Sequence, residues 1–297
     1  MLKKLIGNLK NIYETKYKLL LIIPIVMVVL ALMQISIQYY QTGDFVNKGI
    51  SLKGGSTITL NSIQDVDYAS IENQLQEQFP KGDITVRTIT SAGKLVALAI
   101  DSSFQETEEI DILLAAIKEK INLRGNYSVE IIGSSLGEAF FSQMIRALLV
   151  AFLLMSIVVF IYFRTFIPSV AVIAAAFSDI VVTLAIFNLT GMKLSTAGVA
   201  AFLMLIGFSV DTDMVLSTRL LKRKEGTVME RIYGATKTGL TMIFTTMAAT
   251  ITTLIFVQSD VIKQIMIVLL IGLLVDFIMT WIQNVGILRL YLEKRKS

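Results

Sequence analysis

LMLIGFSVDTDMVLSTR, residues 203–219, sets two carboxylates, Asp211 and Asp213, inside an apolar helix. The run from Leu194 to Ser217 is long enough to cross a bilayer, for which about 20 helical residues at ~1.5 Å each suffice. An aspartate near the bilayer centre costs at least about 2.5 kcal/mol on insertion scales. Two such costs in one helix point to a use for at least one of them. The two side chains stand ~200° apart around the helix and cannot share a face. Asp211 aligns with Gly207, whereas Asp213 aligns with Ser209 and Ser217.

Working outward, Asp179 and Asp276 lie in two further apolar runs, and Asp276, Thr280, Gln283 and Asn284 form a polar stripe in the second of these. No Lys or Arg lies within a helical turn of any of the four aspartates, and the chain has neither His nor Cys. Disulfides, thiolate chemistry and His-based metal sites or proton relays are thereby excluded. Proton traffic, if any, runs through carboxyls, hydroxyls, amides or water. A carboxyl kept from water and from cations favours its neutral form, and can bind and release a proton as its surroundings switch between wet and dry. The plainer alternative is that these groups lock helices together by hydrogen bonds.

Hydrophobic residues make up 54% of the 297, and the mean hydropathy of +0.69 is that of a membrane protein. Six spans are expected. Leu19 to Ile37 is an apolar run followed by Gln38, Tyr39 and Tyr40 rather than a small-residue cleavage site, which marks a retained first span over 19–39 and not a signal peptide. Five more apolar segments, near 143–163, 166–188, 194–217, 238–257 and 264–290, fall within a second membrane region at 140–290. Ahead of them, residues 1–18 place Leu2, Leu5, Ile6, Leu9 and Ile12 on one face among five lysines, the pattern of a basic helix lying on membrane lipids. A basic tail, 291–297, closes the chain.

Residues 40–139 are soluble in character, with 14 acidic and 8 basic residues for a net of −6. Strands are expected at Ile50–Leu60, Ile84–Thr90, Leu95–Ile100 and Tyr127–Ile132, with amphipathic helices over 66–79 and around Ile110–Ile121. The order β-α-β-β-α-β is the ferredoxin-like pattern. The fold class is thus an α-helical membrane protein with six transmembrane helices and a ferredoxin-like α+β domain between helices 1 and 2. Basic residues gather on one side of the spans: the N-terminus, Arg164, the cluster from Arg219 to Lys237, and Arg289 to Lys296. The positive-inside rule puts both termini in the cytoplasm and the α+β domain outside.

Several stretches carry a family resemblance. GISLKGGSTITL (49–60), with Gly54 and Gly55, resembles the Gly-Gly strand after the first helix of the SecD and SecF subunits of the Sec protein-export machinery. GSSLGEAF (133–140), with Gly137, resembles their entry loop; residues 177–219, with Gly207 and Arg219, resemble their third and fourth spans; ATKTGL (235–240) and LLIGLLVDF (269–277) resemble the fifth and sixth. One six-span unit with a single small domain is similar to archaeal SecF. In the family an Asp of the fourth span is tied to proton-driven function, and the wider RND transporter superfamily has a similar Asp. Asp211 fits the position used by SecD and RND proteins, whereas bacterial SecF proteins look offset by one, with their acidic residue at the position of Thr212. The resemblance implies Asp211 as the first proton-relay candidate, ahead of Asp179, Asp276 and Asp213. An Arg of the fifth span in bacterial SecF proteins has Thr241 at its place here, and Lys237 is the nearest cation.

The resemblance implies a non-enzymatic subunit, without a cofactor or metal, that assists Sec-dependent export at the plasma membrane. Its partners would be SecD, the Sec translocation channel and secretory pre-proteins, with the proton motive force as an energy source. The acidic domain argues against a nucleic-acid partner. A free-standing RND-type exporter of lipids or small molecules, and a non-energised structural subunit, are the alternatives.

Overall fold

The computed structural model describes residues 11, 13–61, 68–91, 94–120, 127–222, 225–257 and 259–296. Most of the expected basic N-terminal helix, the Ala92–Gly93 turn, Ile121, Arg223 and Lys224 lie outside these. Six helical stretches are long and apolar enough to cross a membrane. The first joins α1 (Tyr17–Leu20) to α2 (Ile22–Thr42), and Pro24 sits in the first turn of α2, where its missing N–H costs nothing. After a single turn, α3 (Ile50–Lys53), comes the α+β unit: β1 (Gly55–Asn61), α4 (Tyr68–Gln78), β2 (Thr85–Ser91), β3 (Lys94–Ser102), α5 (Thr107–Lys120) and β4 (Tyr127–Ile132). The other five spans are α6 (Ser134–Phe163), α7 (Phe166–Leu189), α8 (Thr196–Leu221), α9 (Val228–Phe256), and α10 (Asp260–Ile278) continued through a π turn (Met279–Asn284) into α11 (Val285–Lys296).

The sheet is antiparallel throughout, in the order β2-β3-β1-β4. Its core is made by alternate residues on one face, Ile58 and Leu60 of β1, Val86 of β2, Leu98 and Ile100 of β3, packed against Ile71 and Leu75 of α4 and Ile110, Leu113 and Ile117 of α5. On the opposite face Arg87 makes a bidentate pair with Asp101, at 2.6 and 2.8 Å, which Thr57 joins at 2.9 Å.

The strand expected from Ile50 starts five residues late. Gly54 and Gly55 take φ values of +89° and +145°, outside extended geometry, and Ile50–Lys53 form a helical turn instead. Ile50 and Leu52 alternate as a strand would, but Leu52 belongs to a different core: it packs with Phe187, Leu194, Val199 and Phe202 at the head of the helical bundle. The glycines serve close approach as well. A Cβ on Gly137 would sit 2.6 Å from the Gly54 nitrogen, so the first turn of α6 lies directly against the loop that enters β1.

Within the bundle, α7, α8 and the sixth span are interior, while the first, second and fifth spans leave most of their surface open. Leu205 of α8 fits over Gly272 of α10, and Trp281 lies over Gly239 of α9; a Cβ at either glycine would overlap its neighbour. The fifth span begins with a capping box, in which the Thr227 side chain and Glu230 exchange hydrogen bonds with each other's backbone N–H. Arg164, at φ 53°, closes α6 in the left-handed conformation and turns the chain within two residues into α7.

Candidate functional site

Helical spacing builds the site. Ser209 and Asp213, four apart on α8, point inward together, as do Asp276 and Thr280 on the sixth span. Asp179 enters from α7. All three carboxyls are sealed from solvent: Asp179 and Asp213 are 0% exposed and Asp276 1%. Ser209 donates to Asp179 Oδ2 at 2.5 Å. Asp213 Oδ1 accepts the Asn284 amide at 2.7 Å and meets the Thr280 hydroxyl at 2.9 Å. The same hydroxyl lies 2.9 Å from Asp276 Oδ1. Gln283 reaches Ser178, the residue before Asp179, at 3.2 Å.

The Thr280 contacts bring two carboxyls onto one hydroxyl. A hydroxyl carries one proton, which it gives to one carboxyl oxygen or shares between the two, and it offers lone pairs to a protonated neighbour. The arrangement accommodates a proton on Asp213 or Asp276. The ion pairs among the described residues join Lys48 to Asp44, Arg87 to Asp101, Lys193 to Asp83 and Lys263 to Asp260; none reaches the cluster. A buried carboxylate without a cation costs several kcal/mol, so protons are the means of neutralising three of them. One oxygen of each carboxyl, Asp179 Oδ1, Asp213 Oδ2 and Asp276 Oδ2, accepts no amide or hydroxyl hydrogen among the described residues, and Asp179 and Asp276 lie within hydrogen-bonding reach of each other. The arrangement can take up, hand on and release protons between three helices. Among the described residues no acidic group has the convergence needed to hold a metal ion.

Asp211 is not part of this cluster. It lies on the open side of α8 in line with Ala200, Met204, Gly207 and Phe208, all exposed in the isolated chain. A Cβ at Gly207 would meet nothing within 4 Å. Thr241 and Lys237 are also exposed, and no ion pair joins Lys237 to Asp211 among the described residues. Arg219 ties the end of α8 to α9, donating to the Gly234 carbonyl and, at 2.7 Å, to the Thr238 hydroxyl. Gly54, Gly55 and Gly137 sit at the joint between sheet and bundle.

That joint holds side chains the sequence does not advertise. Lys193, between α7 and α8, donates to the Asp83 carbonyl at 3.0 Å, to its carboxylate at 2.8 Å and to Thr85 at 2.7 Å. Gln264, near the start of α10, donates to the Lys193 carbonyl at 2.6 Å and accepts from the Ser195 backbone and hydroxyl. Backbone bonds from Gly49 to Leu194 and from Leu194 to Asn47 complete the seam. The one available signal is Gln264 itself, a polar residue inside an apolar run.

Comparison with known proteins gives a consistent set of likenesses. Residues 113–294 match the family described as protein export membrane protein SecD/SecF, C-terminal. The chain is 40% identical over 290 residues to the protein-export membrane protein SecF of Pyrococcus furiosus, covering 98% of this chain and 96% of that one. It is 38% identical over 287 residues to the protein of the same name from Methanothermobacter thermautotrophicus, covering 94% of each. In fold it is similar to the crystal structure of SecDF, a translocon-associated membrane protein from Thermus thermophilus, with a TM-score of 0.70 at 19% identity. That superposition covers 94% of this chain and 38% of the SecDF chain, so this chain spans about two fifths of it.

Proposed function

This chain belongs to the SecD/SecF family of protein-export membrane proteins, and on that premise we propose that it acts as a SecF-type subunit of the Sec machinery, assisting the translocation or release of secretory proteins across the plasma membrane. SecD is its partner, the Sec channel its station and the secretory pre-protein its cargo. The role involves no covalent catalysis. The ferredoxin-like unit, with its βαββαβ order, stands outside the cell, where an extended polypeptide can be held by strand addition or apolar contact.

The observation that carries an energised role is the burial of three carboxyls together, two of them on one Thr280 hydroxyl and none with a cation among the described residues, which favours retained protons. Asp213, Asp179 and Asp276 form the proton path in this reading. Asp211 has another part: it supports assembly, since an exposed Asp beside an exposed Gly on a transmembrane face wants a covering helix, and a chain spanning two fifths of SecDF leaves room for one.

The test is export of a secretory protein by intact cells or inverted vesicles, with and without an uncoupler. Asp213→Asn keeps the shape and removes the titration. It should preserve the complex with SecD and abolish the uncoupler-sensitive part of export. Full uncoupler-sensitive export by Asp213→Asn would falsify the proton role and leave a structural subunit. Recovery of a homodimer that moves lipids or small molecules, with SecD present but unbound, favours the free-standing exporter.

A further inference from the structure

The sixth span leaves α geometry over Met279–Asn284, six residues in a π turn. A π ring encloses one more residue than an α ring, and such turns concentrate at functional sites. Relative to an unbroken α-helix, everything past the turn is displaced by one residue step, about 100° of rotation. That step decides which side chains meet Asp213. Thr280, inside the turn, and Asn284, at its end, both reach the same Asp213 oxygen. Return to α register would rotate Asn284 by about 100° relative to Asp276, which precedes the turn.

A π turn is rare because its hydrogen bonding is poorer than that of the α-helix, so the surroundings must hold it. Here the Trp281 carbonyl, within the turn, accepts the phenol of Tyr13 at 2.8 Å, from a residue 268 positions away in the chain. Tyr13 is fixed in turn by the helix beyond the π turn. Arg289 of α11 donates to the carbonyls of Tyr13 and Glu14 at 3.0 and 2.9 Å, and its guanidinium lies 3.9 Å above the Tyr17 ring. Tyr17 donates to Glu293, also on α11, at 2.5 Å. Burial holds the Tyr13 phenol well above the usual tyrosine range, so it stays an O–H donor. From the other side, the Trp281 ring closes over Gly239 of α9.

We propose that Tyr13 is a positioning residue for the buried carboxyls: its hydroxyl holds the π turn in the register that keeps Thr280 and Asn284 on Asp213. The geometric part stands by itself, and only its consequence for export rests on the proton reading given above.

The probe is a hydrophobic carbodiimide, which attacks carboxyls buried in membranes, applied to the purified full-length protein in lipid nanodiscs. Adduct formation at Asp179, Asp213 and Asp276 is followed by peptide mass spectrometry. Tyr13→Phe should speed labelling of Asp213 by roughly tenfold, the scale of one lost hydrogen bond to a carboxylate, and leave Asp179 unchanged. Tyr17→Phe removes a hydroxyl from the same segment without touching Trp281, and should label as wild type. Asn284→Ala should speed Asp213 labelling by itself, and adding Tyr13→Phe to it should change little, because both act through one contact. Trp281 is the only tryptophan of the chain, so its emission reports the turn directly and should shift in Tyr13→Phe but not in Tyr17→Phe. Unchanged Asp213 labelling in Tyr13→Phe, equal effects from the two tyrosines, or effects of Tyr13→Phe and Asn284→Ala that multiply, each overturn the proposal. If labelling follows expectation while Asp213→Asn exports with full gradient dependence, the proton reading fails and the positioning role stands.

Discussion

One residue, Thr212, separates Asp211 from Asp213, and the two aspartates face opposite ways. Asp213 is 0% exposed and held by Asn284 and Thr280, while Asp211 stands on an open stripe with Gly207 and Phe208. The price of an uncovered Asp facing lipid is at least about 2.5 kcal/mol, so this stripe makes sense against a second protein. Asp211→Leu should therefore reduce recovery of SecD on affinity purification of this chain by several-fold, whereas Asp211→Asn, which keeps a polar group of the same shape, should retain it. If the face meets only lipid, Asp211→Leu will instead raise the thermal stability of the isolated chain without altering recovery of SecD. Both aspartates, and the hydroxyls aligned with them, were legible from helical spacing. The inward direction was not. Ser209, Asp213 and Ser217 make one stripe and Gly207 with Asp211 another, and nothing local to the helix says which one meets α7 and the sixth span. The family resemblance favoured Asp211, and the geometry brings together Asp179, Asp213 and Asp276.

At the scale of elements, the seam between sheet and bundle is where local pattern and tertiary structure part company. Alternating Ile50 and Leu52 read as the beginning of β1, yet they belong to a helical turn, because two successive glycines at positive φ reverse the chain before the strand can start. The π turn was equally hidden, since a one-residue offset leaves an apolar run looking like any other. The polar stripe it reorganises was visible, and of its members Gln283 turns aside to Ser178 while Asn284 meets Asp213. The seam is also a mechanical link. The loop at Lys193 joins the two helices that carry Asp179 and Asp213, it is bonded by Gln264 to the helix that carries Asp276, and it grips Asp83 and Thr85 of the sheet unit. Lys193→Met cuts only the last of these contacts. Because the ion pair is partly exposed, the stability cost should be small, about 1 kcal/mol or less. Hydrogen exchange should nevertheless speed up at residues 83–86 while the β3 core strand, with Leu98 and Ile100 at 0% exposure, keeps its protection. Faster exchange throughout the sheet would mean that Lys193 stabilises the unit itself rather than seating it.

The whole molecule is polarised along the bundle. At the end that bears the sheet unit lie the short connections around Lys193 and between α9 and α10, whose charges are few and partly consumed in pairs with Asp83 and Asp260. The opposite end gathers Arg164, Arg219, Lys222, Arg231 and Arg289, several of them anchored on backbone carbonyls: Arg219 on that of Gly234, Arg231 on that of Leu220, Arg289 on those of Tyr13 and Glu14. Short loops rich in Lys and Arg tend to stay in the cytoplasm, and an even number of spans returns the C-terminus to the side of the N-terminus. In the orientation we propose from that bias, the sheet unit, with its surrounding net of −6 over residues 40–139, faces outward. A reporter active only outside the membrane, fused after Ser91, should be active, and one fused after Gly226 silent; a reporter active only in the cytoplasm should give the opposite pair. The two sites straddle α6, α7 and α8, an odd number of crossings, so they must report opposite sides if all three helices span. Equal readings at both sites would refute the span count, and readings that are opposite but exchanged would refute the orientation while sparing the count. In that proposed orientation Tyr13 and Arg289, bonded to the π turn and to each other's segment, stand on the cytoplasmic side of the carboxyl cluster, so the turn that we propose Tyr13 holds in register lies between Asp213 and the cytoplasm.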